Sequence, residues 1–343
     1  MSKKMLSKEF TFSPGVTQHQ IAAAAGVTQS VVSRVLSDRA KQIGISSDTI
    51  EKVLTIARQM GYRPNPGVSI MQGRKTSLLG VIVRSFQDPF LGTILDELNH
   101  QAHSYGLTLL VKGFESGIYD DKEMLSLLSY GPDALILVGT MDLETWNPSV
   151  LKSGKLIVQI GSRSKIDTVV TCGLDEADAA RQIATHLRDK GHKTCGIVGN
   201  ISSPTQLRAQ RIKSALSDFG IESKTKWQEF SELSYYEAGR HAAQMLAERF
   251  GRKMPFSSVV AVGDTIAMGF IKEAESNGIS IPEDIALCSY NNLEFSSFTK
   301  PSLTTIHQPL REMAQTAIRI ATGIQVAETV RIKPSLIIRE SSS

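Results

Sequence analysis

The stretch VTQHQIAAAAGVTQSVVSRVL, residues 16–36, has the clearest local pattern in the chain and decides how the rest is interpreted. Thr17 followed by Gln20 has the spacing of a capping box, because the threonine oxygen can accept a free first-turn N–H while the glutamine reaches back. Apolar residues then recur at helical spacing. The inward positions that this pattern predicts are Ile21, Ala24 and Ala25. The first half of the stretch therefore indicates a short amphipathic helix.

Gly26 is predicted to end that helix, since glycine readily takes the left-handed backbone of a tight stop. Thr28 then caps a second helix, which turns its valines inward and its polar side chains outward. The outward side chains are those of Gln29, Ser30, Ser33 and Arg34. Two short helices joined by a glycine-containing turn, the second with an exposed polar face, form a helix-turn-helix. The alternative is an ordinary helical hairpin within a core, which the following forty residues disfavour.

From residue 16 onward, nearly the whole chain resembles the lactose-repressor (LacI/GalR) family of transcription regulators. The matching pieces toward the N-terminus are VTQHQIAAAAGV (16–27), VVSRVL (31–36), a third helix capped by Ser46 or Ser47, GYRPN (61–65) and TSLLGVIV (76–83). Those toward the C-terminus are GH (191–192), DTIAMG (264–269), IPEDIAL (281–287) and PSLTTI (301–306). Several motifs match in the expected order, so the resemblance is specific.

The domain organisation follows from this layout. We predict a flexible basic arm at 1–15, a helix-turn-helix DNA-binding domain at 16–62, a hinge helix or linker at 63–76 and a two-lobed ligand-binding and dimerisation domain at 77–343. From Leu78 onward, strand-length apolar runs alternate with amphipathic stretches, which is typical of parallel sheets flanked by helices. The expected fold is an all-α helix-turn-helix headpiece plus an α/β two-lobed periplasmic-binding-protein-like effector domain.

Two such sheets in series, and the resemblance, predict the extent of each lobe. Lobe one is expected at about 77–160 and 290–322, because the family's chain recrosses between the lobes. Lobe two is expected at about 161–289 together with the C-terminal strand. Ligands of open α/β sheets bind beyond the carboxyl ends of the strands, so the cleft between the lobes is the expected ligand site.

The charge is distributed unevenly along the chain. Residues 1–76 hold eleven Lys or Arg against four acidic residues, a net of +7, whereas the remaining residues hold 27 against 30, a net of −3. A basic N-terminal module on a mildly acidic body indicates a polyanionic partner for the first part only, although charge runs are often only solvated faces. Three widely spaced cysteines in apolar contexts predict buried thiols in a reducing compartment.

The DNA-binding residues are predicted from the outward face of the second helix and from the resemblance. Gln29, Ser30 and Arg34 are expected to face base edges in the major groove of double-stranded operator DNA. The residues expected at phosphates are Thr17, Thr28 and Ser33. In the hinge, Asn65 is counted with them, and Met71 matches the family's leucine that wedges into the minor groove. The hinge is too short to be helical alone, so we expect it to fold on DNA.

Effector-binding residues are predicted at the strand ends. Asp88 and Phe90 follow the first strand, and Phe90 matches an aromatic that stacks on the ligand in the family; the alternative is a core phenylalanine. Arg208 matches an arginine that forks onto ligand oxygens, and its alternative role is a salt bridge on a helix surface. Asn291 stands where the family commonly has a ligand-binding aspartate, which disfavours a cationic ligand. Phe230 is a further stacking candidate.

No nucleophile elbow, phosphate-binding loop or dinucleotide fingerprint occurs, so we expect no enzyme activity, no cofactor and no metal site. Neither a membrane-spanning run nor the apolar core of a signal peptide is present, which predicts a cytoplasmic, nucleoid-associated protein with no membrane partner. The expected function is a sequence-specific repressor that binds a near-palindromic site as a homodimer and responds to a small polar effector such as a sugar. The alternatives are a two-lobed sugar-binding transport protein and an enzyme with a DNA-binding appendage.

Overall fold

The computed structural model describes residues 15–37, 40, 43–62, 75–113, 121–139, 148–162, 164 and 166–343. The chain divides into two compact units, Met1–Arg74 and Lys75–Ser343. Most of the predicted arm (residues 1–14 of 1–15) and most of the predicted hinge (63–74 of 63–76) lie outside the described residues.

The described residues of the first unit form the helices α1 (Gln18–Ala25), α2 (Gln29–Leu36) and α3 (Ser47–Gln59). Thr17 and Gln20 form the predicted capping box, and Gly26 follows α1 with φ of 68°. The cap of α3 is Ser46. The core between the helices includes Ile21, Ala22, Ala25, Val32, Val35, Val53 and Ala57. Ala22 is buried and Ala24 is exposed, so the prediction that Ala24 faces inward is wrong.

The second unit begins with an alternation of strands and helices. Its first elements are β1 (Leu78–Val83), α4 (Pro89–Ser104), β2 (Thr108–Gly113), α5 (Asp121–Ser129), β3 (Ala134–Val138), α6 (Pro148–Leu151), β4 (Leu156–Ile160) and β5 (Val169–Leu174). The chain continues with α7 (Glu176–Asp189), β6 (Cys195–Asn200), α8 (Ser203–Asp218), β7 (Gln228–Ser231), α9 (Tyr235–Phe250), β8 (Ser258–Ala261), α10 (Asp264–Ser276), β9 (Ala286–Asn291) and β10 (Thr304–His307). It ends with α11 (Leu310–Ala321), β11 (Val330–Ile332) and β12 (Ser335–Ile337).

These strands form two six-stranded sheets, which define two lobes. The first sheet has the order β11-β5-β4-β3-β1-β2 and the second has the order β12-β10-β9-β8-β6-β7. All pairs are parallel except β10 with β12. Parallel strands that are buried on both faces explain the continuous apolar runs in the sequence.

The chain passes between the lobes three times, and both β5 and β10 lie in the lobe other than the predicted one. The first sheet also holds β5 and β11, and α11 packs on its core. Residues 290–307, predicted in lobe one, instead complete the second sheet. Hereafter the first lobe is 75–174 and 309–332, and the second lobe is 175–308 and 333–343. A strand joins the sheet in which it finds a hydrogen-bonded neighbour. The apolar pattern of a strand does not specify that neighbour, so the pattern does not predict the lobe.

Among the described helices, none is both long and apolar enough to cross a membrane. Cys172, Cys195 and Cys288 are free and buried, as predicted. Burial raises the pKa of each of these thiols to about 12.

Candidate functional site

Helix α2 presents two contrasting faces. Val32 and Val35 are buried against α1 and α3, whereas Gln29, Ser30 and Arg34 are exposed. Ser33 is half-buried between the two faces. The exposed face therefore offers an amide, a hydroxyl and a guanidinium side by side on one helix of a compact three-helix unit. These are side chains that can make hydrogen bonds to base edges.

The two capping threonines are exposed, and their oxygens already bond the helix starts. The Thr17 hydroxyl accepts from the Gln20 N–H at 3.3 Å, and the Thr17 N–H donates to Gln20 Oε1 at 2.8 Å. The Thr28 hydroxyl accepts from the Val31 N–H at 3.4 Å and shares a hydrogen bond with Ser30 at 2.8 Å. The two threonines thus position α1 and α2. The other predicted DNA-binding residues, Asn65 and Met71, lie outside the described residues.

A cleft of about 110 Å³ lies between the two lobes of the second unit. It is lined by residues at the carboxyl ends of strands from both sheets and by the helix starts that follow them. This is the edge at which open α/β sheets bind ligands. Of the predicted effector-binding residues, the cleft contains Asp88, Phe90, Arg208 and Asn291.

Asp88 serves as the N-terminal cap of α4. Its Oδ1 accepts from the Phe90 N–H at 3.0 Å, and its Oδ2 pairs with Arg84 Nη2 at 3.1 Å. Burial raises the pKa of Asp88 above its usual value, although the charge of Arg84 and the Phe90 N–H oppose this rise. Arg84 Nε is buried with no hydrogen-bond partner among the described residues. The carboxylate is therefore largely engaged by Arg84 and by the start of α4.

Arg208 lines the cleft, but its guanidinium fork is already occupied by a carboxylate. Its Nε and Nη2 donate to the two oxygens of Glu176, at 3.1 and 2.8 Å. Its Nη1 donates to the Val262 carbonyl at 3.0 Å, and the guanidinium lies 4.4 Å from the centre of the Tyr290 ring. Burial alone would lower the pKa of Arg208. The charge and hydrogen bonds of Glu176 raise it by more than burial lowers it, so the pKa lies above its usual value.

Two amide side chains bond to each other where the chain crosses between the lobes. Gln308 Nε2 donates to Asn291 Oδ1 at 2.7 Å, and both side chains line the cleft. Tyr235, at the start of α9, also lines the cleft. Burial raises the pKa of the Tyr235 phenol above its usual value. Polar groups from both lobes thus enclose the cavity.

Phe230 is not among the described residues that line the cleft, so its role as a ligand-stacking residue stays a prediction. It is half-buried on β7, where it packs against the second-lobe core and closely covers Gly199 of β6. β7 is the edge strand of its sheet. The aromatic residues that line the cleft are Phe90 and Tyr235.

The sequence interpretation missed several polar residues of the cleft. Arg84 follows β1 and Asn200 ends β6, so the strand-end rule would have found both. Glu176 could have been suspected as an acidic first-turn residue after β5, but β5 itself was missed. Tyr235 follows no strand directly and has a φ of 54°, which no local pattern indicates. Among the described residues, no cluster of His, Cys, Asp or Glu could hold a metal ion.

Comparison with known proteins agrees with the division of the chain into an N-terminal helical unit and a larger α/β unit. Residues 17–65 match the family described as bacterial regulatory proteins, lacI family, and residues 184–342 match a periplasmic binding protein-like domain. Catabolite control protein A of Staphylococcus xylosus is 25% identical over 320 residues, which cover 92% of this chain and 94% of that protein. The HTH-type transcriptional repressor PurR of Photobacterium profundum is 25% identical over 338 residues, covering 95% of this chain and 98% of that protein.

A solved structure extends the similarity to three dimensions. The lac repressor dimer bound to operator and the anti-inducer ONPF matches with a TM-score of 0.80 at 22% identity, covering 96% of this chain and 99% of that one. At that identity the match shows a shared fold, a helix-turn-helix region followed by a two-sheet α/β domain.

Proposed function

We propose that this chain, whose residues 17–65 match the lacI family of bacterial regulatory proteins, represses transcription by binding a near-palindromic operator as a homodimer, under the control of a small polar effector in its cleft. Its relatives are transcription regulators and not enzymes. The observation that carries the proposal is the exposed polar face of α2 on a capped helix-turn-helix.

In this proposal Gln29, Ser30 and Arg34 contact base edges in the major groove. Glutamine can bond adenine at two atoms, and arginine can bond guanine in the same way. Thr17, Thr28 and Ser33 contact phosphates, together with backbone N–H groups at the starts of α1 and α2. Asn65 and Met71 act in the hinge, where methionine is apolar and flexible enough to enter a base step.

The effector is proposed to bind in the cleft between the lobes. Phe90, Asp88 and Asn291 line the cavity and support this location. Because the cavity has walls from both lobes, a ligand can favour one closure of the lobes over another. It changes DNA affinity only to the extent that it binds one closure better than the other.

The homodimer is supported by an apolar patch on the second lobe. Tyr236, Met268 and Phe298 are exposed, and the Tyr236 ring lies 6.4 Å from that of Phe295. Clustered large apolar side chains at a surface often mark an interface between proteins. One helix-turn-helix contacts few base pairs, so a two-fold dimer is the expected way to double the recognised site.

The test of the base-reading role is a selection from random DNA with purified variants. Gln29→Ala and Arg34→Ala should each relax the preference at particular positions of both half-sites, since a bidentate base contact contributes about 1–3 kcal/mol of discrimination. Gln59→Ala and Arg58→Ala are the matched controls, because they remove the same side-chain types from exposed positions on α3. A Gln29→Ala consensus identical to that of the wild type would exclude base reading by this residue.

A further inference from the structure

The charged side chains of the cleft are already paired with one another. Four charged side chains line its described part, namely those of Arg84, Asp88, Glu176 and Arg208. Arg84 pairs with Asp88 in the first lobe, and Arg208 pairs with Glu176 in the second. The remaining polar lining side chains are neutral: Ser162, Asn200, Ser202, Thr205, Tyr235, Thr265, Asn291 and Gln308. The described part of the lining therefore contains two basic and two acidic side chains, which are paired with one another.

The second pair is held rigidly. Glu176 contacts Arg208 through both carboxylate oxygens, and the guanidinium is further fixed by the Val262 carbonyl and by the face of Tyr290. The side chains of Arg208 and Glu176 are only 15% and 25% exposed. A bidentate, mostly buried pair is preorganised and weakly screened by solvent.

An acidic ligand would compete with Glu176 for the same fork. Two parallel N–H groups are the preferred partner of a carboxylate or phosphate, and here a protein carboxylate takes that position. A ligand that displaced it would leave Glu176 buried without its cation, which is strongly disfavoured. A ligand that did not displace it would bring a second negative charge beside Glu176.

We propose that Glu176 is a specificity-determining residue, which occupies the Arg208 fork in place of an acid and so restricts the cleft to uncharged ligands. The inference rests on the proposed function, in which the cleft binds the effector. The neutral groups around the cavity both donate and accept hydrogen bonds, as an uncharged polyhydroxylated or amide-bearing molecule requires.

The decisive variant is Glu176→Gln in the full-length protein. Glutamine keeps the size of the side chain but removes its charge and turns an NH2 group toward one guanidinium nitrogen. The fork is then partly open, and the cleft carries a net positive charge. Isothermal titration calorimetry with sulfate at constant ionic strength should give binding about tenfold or more tighter than in the wild type, because a charge-assisted contact has become available.

A control variant and a double variant test whether the tighter sulfate binding depends on the Arg208 guanidinium. Glu229→Gln is the matched control, since Glu229 pairs with Arg249 at 2.8 Å with exposures of 15% and 36%, in the same lobe but outside the cleft. It should leave sulfate binding unchanged. The double variant Glu176→Gln/Arg208→Gln should lose the gain. Glu176→Ala, which opens the fork fully, provides a second variant if the glutamine is poorly folded.

Equal sulfate binding by the wild type and both Glu176 variants would overturn the proposal, as would a gain that persists in the double variant. In the wild type, gluconate and glucose 6-phosphate should stabilise against heat no more than glucose does, and strong stabilisation by either acid would also overturn it. A gel shift with genomic DNA fragments tests the proposed function separately. Absence of specific DNA binding would contradict the regulator, while the sulfate titration would still decide the role of Glu176.

Discussion

Asp264, the first residue of α10, is a carboxyl group buried within the second lobe, with 0% of its surface exposed. It accepts hydrogen bonds from the hydroxyls of Ser289 and Thr305 and from the Leu293 N–H. Burial raises its pKa to about 6 despite these donors. The residue therefore joins α10 to the segments around β9 and β10, but its charge is unfavourable at neutral pH.

This geometry predicts a pH-dependent difference between the wild type and Asp264→Asn. A carboxyl group whose pKa is raised on folding contributes most stability below its unfolded pKa, and that contribution is lost as the pH rises through about 6. Asparagine keeps the shape without titrating. The free energy of unfolding of the wild type, relative to the variant, should fall by on the order of 2–3 kcal/mol between pH 4 and pH 7. Urea unfolding at fixed protein concentration measures it, and a difference independent of pH would contradict this role.

At the scale of elements, α9 and α10 pack with their backbones in contact. A Cβ added to Gly269 would lie 2.0 Å from the Tyr236 carbonyl oxygen, and one added to Gly239 would lie 1.9 Å from that of Ile266. The two glycines therefore allow the helices to cross so closely that a side chain at either position would overlap the backbone of the other helix. This gives a physical reason for the glycine that ends the motif DTIAMG.

Gly269→Ala should separate the two helices and lower the free energy of unfolding by about 1–3 kcal/mol or more, since the clash is with backbone. Gly92→Ala is the matched control, because Gly92 is exposed on α4 with nothing within 4 Å of the added methyl group. Gly92→Ala should raise the free energy of unfolding by roughly 0.4–1 kcal/mol, because alanine lowers the conformational entropy of the unfolded chain. Denaturant unfolding of the two variants tests both signs, and equal stabilities would refute the close crossing.

At the scale of the whole molecule, the proposed dimer depends on the apolar patch around Phe298, which is 75% exposed in the single chain. Phe298→Asp places a charge there and should weaken dimerisation by about 2 kcal/mol or more, as for a central interface residue. Operator binding should weaken with it, because two headpieces must bind together. Val326→Asp is the control, since Val326 is 73% exposed in the first lobe. Analytical ultracentrifugation measures both, and a Phe298→Asp dimer as stable as the wild type would exclude this patch.

Short-range signals in the sequence were sufficient for individual elements. The capping box of Thr17 and Gln20 and the stop at Gly26 occur where the pattern predicted them. The apolar runs LLGVIV, ALILV and LIVQI form β1, β3 and β4. These features are local, because a cap involves residues one turn apart and a fully buried strand must be apolar on both faces.

The assignment of strands to lobes was not available from the sequence. β5 is apolar and fully buried, yet its sequence VVTCGL does not state which sheet it joins. β10 is the short segment TTIH, and its two threonines make it look like an exposed polar segment although both are buried. Thr304 and Thr305 form hydrogen bonds with Ser341, Arg339 and Asp264. Sheet membership depends on neighbours distant in the chain, so the lobe boundaries required the tertiary structure.

Some features of the cleft could be predicted from the sequence, and others depend on the tertiary structure. Asp88, Phe90 and Asn291 could be predicted because parallel sheets expose their ligand-binding groups at strand ends, which a sequence marks by itself. Glu176 and Arg208 are 32 residues apart and meet because α7 and α8 pack against each other in the second lobe. The type of residue at a strand end is a property of the chain, whereas the partner that neutralises its charge is decided by packing, since a buried ion must find its counter-ion in space.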